Sequence, residues 1–350
     1  MPKLVDLRSD TVTQPTAAMR EAMAVAEVGD DVYGEDPTIN RLEKLAATRM
    51  GMPSSMFVPS GTMGNLAAIL AHCARGDEMI LGHLSHSFLF EAGGAAALGG
   101  VQPRTVRNQE DGTLDFEDIR ASIRENDPHF PITRLICLEN THNRCGGNPI
   151  TATYTKAVGD IAKEYDLKLH IDGARIFNAA AAQNVPARDL VQNADSVTFC
   201  LSKALCAPVG SLLCGSEAFI HKARRVRKQL GGGMRQAGVL AAAGIIALEK
   251  MTSRLVDDHA RARRLAAGLV RMDEEEFSVS TPTTNMVYVT IRPEASFDAK
   301  VLAAVLKSKG IRVGIVASHR IRLVLHHDID DDSLQIAITA IKQSWSELRN

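Results

Sequence analysis

The sequence lacks the features that mark several large classes of protein. No run approaches the roughly eighteen apolar residues of a membrane-spanning helix, so no membrane association is predicted. Acidic and basic residues nearly cancel, with a net charge of −1, which provides no basic surface for nucleic acid. Residues 1–6 lack the apolar core of a signal peptide, and we therefore expect a cytoplasmic protein.

Cysteine motifs are missing as well. The six cysteines form no CxxC pair and show no disulfide spacing. Most of them lie in apolar runs, which is typical of reduced, buried thiols. They are Cys73, Cys137, Cys145, Cys200, Cys206 and Cys214.

Two common enzyme motifs are also absent. No GxSxG elbow surrounds Ser60 or Ser202, which argues against a serine hydrolase. No GxGxxG follows the first predicted strand, which argues against a Rossmann dehydrogenase.

Apolar residues, by contrast, are plentiful enough for a large core. They make up 45% of 350 residues, which suits two domains. From residue 56 to about 213, short apolar runs alternate with helical stretches. Runs that are apolar throughout are typical of strands covered on both faces, so we predict an α/β fold with a mostly parallel sheet. The predicted strands are Met56–Val58, Glu78–Leu81, Arg134–Leu138, Lys168–Ile171, Ser196–Cys200 and Ser211–Cys214.

Three regions are predicted along the chain. An N-terminal arm covers residues 1–35, a large cofactor-binding domain covers 36–250, and a small C-terminal domain covers 251–350. The last region has the texture of an α+β domain, with strands and helices near Asn285–Ile291, Ala299–Lys309, Ile321–Leu325 and Ser333–Leu348.

One lysine and one aspartate carry the main functional prediction. The strand ending at Cys200 runs into a small-residue turn that bears Lys203, and the strand from Lys168 ends in Asp172. Pyridoxal 5′-phosphate needs an amine for its aldehyde and an acid beside its ring nitrogen. The two residues therefore predict a pyridoxal-phosphate site, although an aspartate after a strand also commonly caps the next helix.

A phosphate site is predicted between the first strand of this sheet and the helix that follows. Ser60, Gly61 and Thr62 stand there, where free backbone N–H groups and two hydroxyls favour a dianion. An ordinary N-cap needs the same residue types. Lys203 and Asp172 in the same sheet make phosphate binding the favoured interpretation.

Two further side chains suit the flat ring of such a cofactor. His86 is a candidate to stack on the ring and to move a proton near neutral pH, but it is one of eleven histidines and a structural role is the alternative. Arg175 could reach the phenolate oxygen of the cofactor or a substrate carboxylate; its alternative is a surface salt bridge.

The substrate of such an enzyme is an amino acid, whose carboxylate arginine binds with two hydrogen bonds. Arg322 lies inside an apolar strand and is the candidate, with Arg320 as its rival on the same face. An exposed edge strand is the alternative explanation. The run His326-His327-Asp328 resembles a ligand cluster, but neighbours on a strand point to opposite faces, so no metal is predicted.

Further motifs follow in order along the chain. They are VDLRSDTVT at 5–13, VGDDVYG at 28–34, ENTHN at 139–143, HIDGAR at 170–175 and GGGMRQ at 231–236. Over nearly its whole length the chain closely resembles the L-threonine aldolases, of the low-specificity or L-allo-threonine kind. The resemblance implies the aspartate-aminotransferase-like fold and retro-aldol cleavage of β-hydroxy-α-amino acids to glycine and an aldehyde. It also implies a homotetramer with its sites at dimer interfaces.

The resemblance implies a role for each matching residue. For the cofactor these are Lys203 as the Schiff-base lysine, Asp172 at the ring nitrogen, Ser60, Gly61 and Thr62 at the phosphate, His86 on the ring face, and Glu91 and Arg175 close by. For the substrate they are Ser9, Arg175 and Arg322 at the carboxylate, His86 and His129 near the hydroxyl, and Tyr33 at the entrance. Lys228 and Arg235 would come from a neighbouring subunit.

Some alternatives stay open. Transaldolase, racemase and β-eliminating enzymes use the same cofactor on β-hydroxy amino acids, and a non-catalytic protein could keep the scaffold. The chain also departs from the family, which usually has glycines where Ala204 and Cys206 stand. A side chain forced into positive φ there would cost about 1 kcal/mol.

Overall fold

The structure is a computed structural model that describes residues 4–270 and 277–349. These residues form two compact units, one from Pro15 to Thr252 and one that combines the chain up to Gln14 with the chain from Ser253. The larger unit ends two residues beyond residue 250, where the sequence predicted the end of the large domain. The predicted arm of residues 1–35 is shared between the units, because its first strand pairs with a strand of the C-terminal region.

Twelve strands lie in the described part of the chain. They are β1 Val5–Leu7, β2 Ser54–Val58, β3 Glu78–Gly82, β4 Gln102–Val106, β5 Thr133–Glu139, β6 Lys168–Asp172, β7 Ser196–Cys200, β8 Ser211–Gly215, β9 Phe277–Val279, β10 Met286–Ile291, β11 Ile311–Ala317 and β12 Arg320–Val324.

Fourteen α-helices accompany the strands of the described residues. They are α1 Ala17–Ala24, α2 Pro37–Met50, α3 Gly61–His72, α4 His86–Leu89, α5 Gly94–Ala97, α6 Phe116–Ser122, α7 Ala152–Glu164, α8 Ile176–Gln183, α9 Ala187–Val191, α10 Glu217–Gln229, α11 Gly238–Ile246, α12 Leu255–Leu269, α13 Ala299–Ser308 and α14 Asp331–Arg349. Short 3₁₀ turns cover Asp10–Val12 and Asp31–Tyr33, and a π-helical turn, Ala247–Met251, continues α11.

The larger unit is built on a seven-stranded sheet of order β2-β8-β7-β6-β5-β3-β4. Strands β3 to β7 are parallel, and β8 runs antiparallel to both of its neighbours. The predicted α/β fold with a mostly parallel sheet is therefore confirmed. The carboxyl ends of β2, β3, β5, β6 and β7 meet at one edge, which is where open α/β sheets bind ligands.

Strand β4 was not anticipated from the sequence. It pairs in parallel with β3 at the edge of the sheet. Three of its five residues, Gln102, Arg104 and Thr105, are polar, and a fourth is Pro103. Pro103 is tolerated there, because one side of an edge strand needs no ladder hydrogen bonds. Its half-exposed residues follow neither the continuous apolar pattern nor strict alternation.

The smaller unit contains a five-stranded sheet of order β1-β11-β12-β10-β9. β1 is parallel to β11, and the other pairs are antiparallel. Trp345 on α14 packs against the rings of Phe277 and Phe297, with centroid distances of 4.6 and 4.8 Å. β12 lies between β11 and β10, so the explanation of Arg322 by an exposed edge strand is wrong.

No helix within residues 4–270 and 277–349 has the length and apolar character needed to cross a bilayer. All six cysteines are buried, as their apolar surroundings predict.

Candidate active site

A cavity of about 170 Å³ opens at the carboxyl edge of the seven-stranded sheet. Seven of the predicted site residues line it: Ser60, Gly61, Thr62, His86, Glu91, Asp172 and Lys203. Pro59, Asn65, Ala174, Cys200 and Ser202 complete the lining. The loops after β2, β3, β6 and β7 thus bring together residues that are far apart in the sequence.

The first turn of α3 forms one wall of the cavity. Oγ of Ser60 accepts a hydrogen bond from the backbone N–H of Met63 at 3.1 Å, so Ser60 is the N-cap of the helix. The N–H groups of Gly61 and Thr62 have no carbonyl in a preceding turn to bond, as at any helix start. Such groups, together with the helix dipole, suit a phosphate. The N-cap and phosphate interpretations are therefore compatible.

Gly61 and Gly64 allow α3 to lie very close to β7. A Cβ on Gly61 would be 2.9 Å from Sγ of Cys200, and one on Gly64 would be 2.5 Å from Cγ2 of Thr198. Larger residues would push the helix start away from the strand end that leads to Lys203. The close packing and the donors at the helix start fit a phosphorylated cofactor held beside that lysine.

Asp172 is the last residue of β6 and is 4% exposed. Oδ1 accepts a hydrogen bond from the backbone N–H of Ala174 at 3.1 Å, and Oδ2 accepts one from Nδ2 of Asn65 at 2.9 Å. Helix α8 begins only at Ile176, and its N-cap is Arg175. Asp172 is therefore not the cap of that helix, and its carboxylate is presented to the cavity instead.

His86 and Glu91 form a hydrogen-bonded pair beside Asp172. Nδ1 of His86 lies 2.9 Å from Oε1 of Glu91. This hydrogen bond raises the pKa of His86 above its ordinary value, and the charge of Asp172 acts in the same direction. Burial raises the pKa of Glu91, and the neighbouring Asp172 carboxylate raises it further. Each member of the pair therefore holds a proton more tightly than it would in water.

Asn65 links these groups and was not selected from the sequence. Its Nδ2 donates both to Oε1 of Glu91 and to Oδ2 of Asp172, each at 2.9 Å. Asn65 lies four residues after Gly61 on α3, so helical periodicity places it on the same face. That spacing is the signal that could have identified it.

Lys203 lies on a compact turn after β7. Its carbonyl accepts a hydrogen bond from the backbone N–H of Cys206 at 2.9 Å. Cys206 has a φ of 65°, in the left-handed region, whereas Ala204 is not among the residues with positive φ. The backbone strain expected from the two replaced glycines therefore falls on Cys206. The half-buried side chain of Lys203 reaches the cavity, and its charge lowers the pKa of His86.

His86, Glu91 and Asp172 are also the group within the described residues that could hold a metal ion, since their ligand atoms lie within 4.8 Å of one another. All three are among the residues that the sequence predicts for the cofactor. In the smaller unit, Nε2 of His326 is hydrogen-bonded to the carbonyl oxygen of Asp6 at 2.8 Å, which leaves it a structural role.

Five predicted residues of the larger unit do not line this cavity: Tyr33, His129, Arg175, Lys228 and Arg235. Tyr33 is 75% exposed on its 3₁₀ turn. Arg235 pairs with Oδ2 of Asp30 at 2.9 Å, and Lys228 lies near the end of α10. The side chain of His129 is 86% exposed and hydrogen-bonds Asp127. The assignment of Lys228 and Arg235 to a neighbouring subunit stays a prediction.

Two predicted carboxylate ligands lie in the smaller unit. Nη2 of Arg322 donates to the carbonyl oxygen of Arg8 at 3.1 Å, which brings it next to Ser9 along the chain. Its rival Arg320 packs over the ring of Tyr288, at 4.3 Å from the centroid. In the larger unit, Arg175 is 7% exposed and follows the cavity residue Ala174 directly, so the surface salt bridge is not its environment.

Comparison with known proteins identifies the family. Residues 6–292 match the family model described as beta-eliminating lyase. The chain belongs to the beta-eliminating lyase family. A probable low-specificity L-threonine aldolase 2 of Arabidopsis thaliana is 52% identical over 344 residues, which cover 97% of each chain. The low specificity L-threonine aldolase of Escherichia coli K12 is 45% identical over 331 residues, covering 95% of this chain and 96% of that one.

The fold is shared with solved structures of threonine aldolases. The threonine aldolase of Leishmania major superposes with a TM-score of 0.82 at 20% identity, covering 97% of this chain and 99% of that one. The resemblance drawn from the sequence is thus confirmed, and with it the fold of this beta-eliminating lyase family member.

Proposed function

We propose that the protein is a pyridoxal-phosphate-dependent lyase that cleaves L-threonine, L-allo-threonine and related β-hydroxy-α-amino acids to glycine and an aldehyde. The observation that carries the proposal is the convergence of Lys203, Asp172 and the start of α3 on one cavity. Similarity to L-threonine aldolases over 97% of the chain supports the choice of reaction.

The residues at the cavity suit each part of the cofactor. Lys203 would hold its aldehyde carbon, Asp172 its ring nitrogen, and Ser60, Gly61 and Thr62 its phosphate. His86 would lie on the ring face, with Glu91 and Arg175 nearby and Arg235 from a neighbouring subunit. When bound, the cofactor supplies an electron sink for the bond that breaks at the substrate Cα.

The carboxylate ligands set which bond breaks. Ser9, Arg175 and Arg322 would hold the substrate carboxylate, with guanidinium groups suited to two hydrogen bonds at once. Holding the carboxylate would fix the rotation about the bond between the substrate nitrogen and Cα. This orientation would select the Cα–Cβ bond for cleavage. Tyr33 would border the entrance, and Lys228 would come from the neighbouring subunit.

His86 is the proposed base for the substrate hydroxyl. Its Nδ1 is held by Glu91, so Nε2 is the ring nitrogen left to accept a proton. Glu91 orients the ring and stabilises its protonated form, as a carboxylate does for a catalytic histidine. A water held by both His86 and His129 is the second route for this proton.

A cytoplasmic homotetramer with sites at dimer interfaces completes the proposal. Lys228 and Arg235 do not line the cavity of their own chain, which agrees with a site that a second subunit completes.

The test is to incubate purified, cofactor-loaded protein with L-threonine and with L-allo-threonine and to measure acetaldehyde, glycine and ammonia. Equal amounts of acetaldehyde and glycine are expected. Ammonia with a 2-oxo acid would instead identify a β-eliminating enzyme, and exchange of the Cα hydrogen alone would identify a racemase. Either outcome would overturn the proposed reaction.

A further inference from the structure

A line of polar side chains, buried except for the partly buried His72 at its far end, runs from Asp172 away from the cavity, between α3, β6 and β7. Nδ2 of Asn65 donates to Asp172 at 2.9 Å, and its Oδ1 lies 3.2 Å from Nε2 of His170. Nδ1 of His170 lies 2.8 Å from Oγ of Ser196, and that Oγ lies 2.8 Å from Nε2 of His72. All five residues belong to the larger unit.

The hydrogens of this line have only one consistent arrangement. The amide nitrogen of Asn65 faces two carboxylates, so its oxygen faces His170 and accepts from Nε2–H. Burial lowers the pKa of His170 to about 4, so the ring is neutral near pH 7 and Nδ1 is an acceptor. Ser196 must then donate to His170 and accept from His72, whose pKa burial lowers to about 3.

Each hydrogen bond in the line therefore fixes the donor and acceptor roles in the hydrogen bond that follows it toward the carboxylates. With Nε2–H of His170 on its oxygen, Asn65 cannot turn its amide around without losing that bond and opposing two acceptors with an oxygen. A flipped or mobile amide would leave Asp172 and Glu91 without a shared donor between them. A donor shared by two neighbouring carboxylates offsets part of their mutual repulsion.

The cost of burial argues for a specific purpose. His170 and Ser196 are 1% and 0% exposed, in strands whose other buried residues are apolar except for Asp172 and Thr198. Buried polar groups cost free energy unless they are fully hydrogen-bonded, and apolar residues would build the same sheet without that requirement. The polar residues of this line lie where they lead to Asp172.

We propose that His170 and Ser196 are positioning residues, which act through Asn65 to hold Asp172 as the acceptor for the ring nitrogen of the cofactor. They touch neither cofactor nor substrate. The inference rests on the proposed function, because it takes the cavity to be the pyridoxal-phosphate site.

The test compares two ligands of the cofactor-free protein, pyridoxal 5′-phosphate and its 1-deaza analogue, in which a carbon replaces the ring nitrogen. The dissociation constant of each is measured by titration of absorbance and fluorescence. The wild-type protein should bind the parent compound more tightly, since only that compound has a nitrogen for Asp172.

Three variants of the line are informative. In His170→Leu the affinity for pyridoxal phosphate should fall about tenfold, as expected for one well-placed hydrogen bond to a charged group, while the affinity for the deaza analogue changes less than twofold. Ser196→Ala should give the same pattern more weakly. His170→Gln should restore much of the preference, because its amide can donate to Asn65 and accept from Ser196.

Val197→Ala is the control, since Val197 is a fully buried neighbour on β7 outside the line. It should lower thermal stability and leave the ratio of the two dissociation constants unchanged. A ratio as in the wild type in both His170→Leu and Ser196→Ala would overturn the inference, with the proposed function intact. Failure of the wild type to bind either ligand would overturn the proposed function as well.

Discussion

The backbone N–H of His86 donates a hydrogen bond to Oε2 of Glu139 at 2.7 Å. The other oxygen of this carboxylate, Oε1, accepts from the backbone N–H of Asn143 at 2.9 Å. Glu139 is the last residue of β5 and is 5% exposed, so it ties the start of α4 to the central sheet. The ring of the proposed base is therefore placed from two sides, by Glu139 at its backbone and by Glu91 at Nδ1.

Glu139→Gln should lower kcat/KM for L-threonine about tenfold or more. The amide has one oxygen for two N–H donors, and an unsatisfied buried donor costs about 1–3 kcal/mol. Because His86 is only one of several residues assigned to the cofactor, and Lys203 and Asp172 keep their places, the dissociation constant of the cofactor should change less than kcat/KM does. Steady-state kinetics and cofactor titration measure the two effects.

Glu164→Gln serves as the matched control, since the side chain of Glu164 is half exposed at the surface and pairs with Arg120. It should leave both quantities unchanged. If Glu139→Gln keeps wild-type kcat/KM, the placement of His86 does not depend on Glu139.

Glu91→Gln should move the acidic limb of the kcat/KM profile to lower pH. A base must be unprotonated to act, so activity falls as the pH drops below the pKa of His86. The hydrogen bond to Glu91 raises that pKa, with Asp172 acting in the same direction and Lys203 against it. Removing the carboxylate charge therefore lowers the pKa and extends activity toward acid.

The profile is measured with L-threonine over the range in which the protein stays folded, with Glu164→Gln again as the control. An acidic limb that stays in place or moves to higher pH would mean that His86 is not the group that titrates.

The sequence predicted the larger sheet well because continuous apolar runs mark strands that are covered on both faces. It also selected six residues of the cavity because they lie at or after the ends of strands, and the family resemblance added a seventh, Glu91. Asn65, Glu139 and His170 were missed as site residues, because their importance arises from side-chain hydrogen bonds between elements distant in the sequence. The short strand β1 was missed for a similar reason, because its partner β11 lies near the other end of the sequence.

Cys206→Gly should be more stable than Cys206→Ala by about 1 kcal/mol, the cost of holding an L-residue in left-handed conformation. Both variants lose the buried sulfur, so their difference isolates the backbone strain at φ 65°. Thermal unfolding of the cofactor-free proteins should show a midpoint roughly 1–2 °C higher for the glycine variant.

The same pair of substitutions at Cys214, a fully buried residue of β8, should give the opposite order, because glycine weakens a strand interior. Equal midpoints for the two Cys206 variants would show that the turn relaxes without cost.

Lys203→Ala should lose turnover and the visible absorbance of the bound cofactor, because no amine remains to hold the aldehyde carbon. Treatment of the wild-type protein with borohydride, followed by peptide mass spectrometry, should find the reduced cofactor on Lys203. Lys156→Ala, at an exposed surface pair with Asp160, should behave like the wild type. Normal turnover in Lys203→Ala would contradict the assignment of the cofactor.

Arg322→Lys should raise the KM for L-threonine about tenfold, because an ammonium group cannot reproduce the two parallel hydrogen bonds of a guanidinium to a carboxylate. The dissociation constant of the cofactor should change less than twofold, since the residue is assigned to the substrate alone. Arg320→Lys is the matched control, because Arg320 packs over Tyr288 and lysine keeps its positive charge above that ring. If the KM rises equally in both variants, or only in Arg320→Lys, the assignment of the carboxylate contact to Arg322 alone is wrong. Arg320, on the same strand face, would then be a carboxylate ligand.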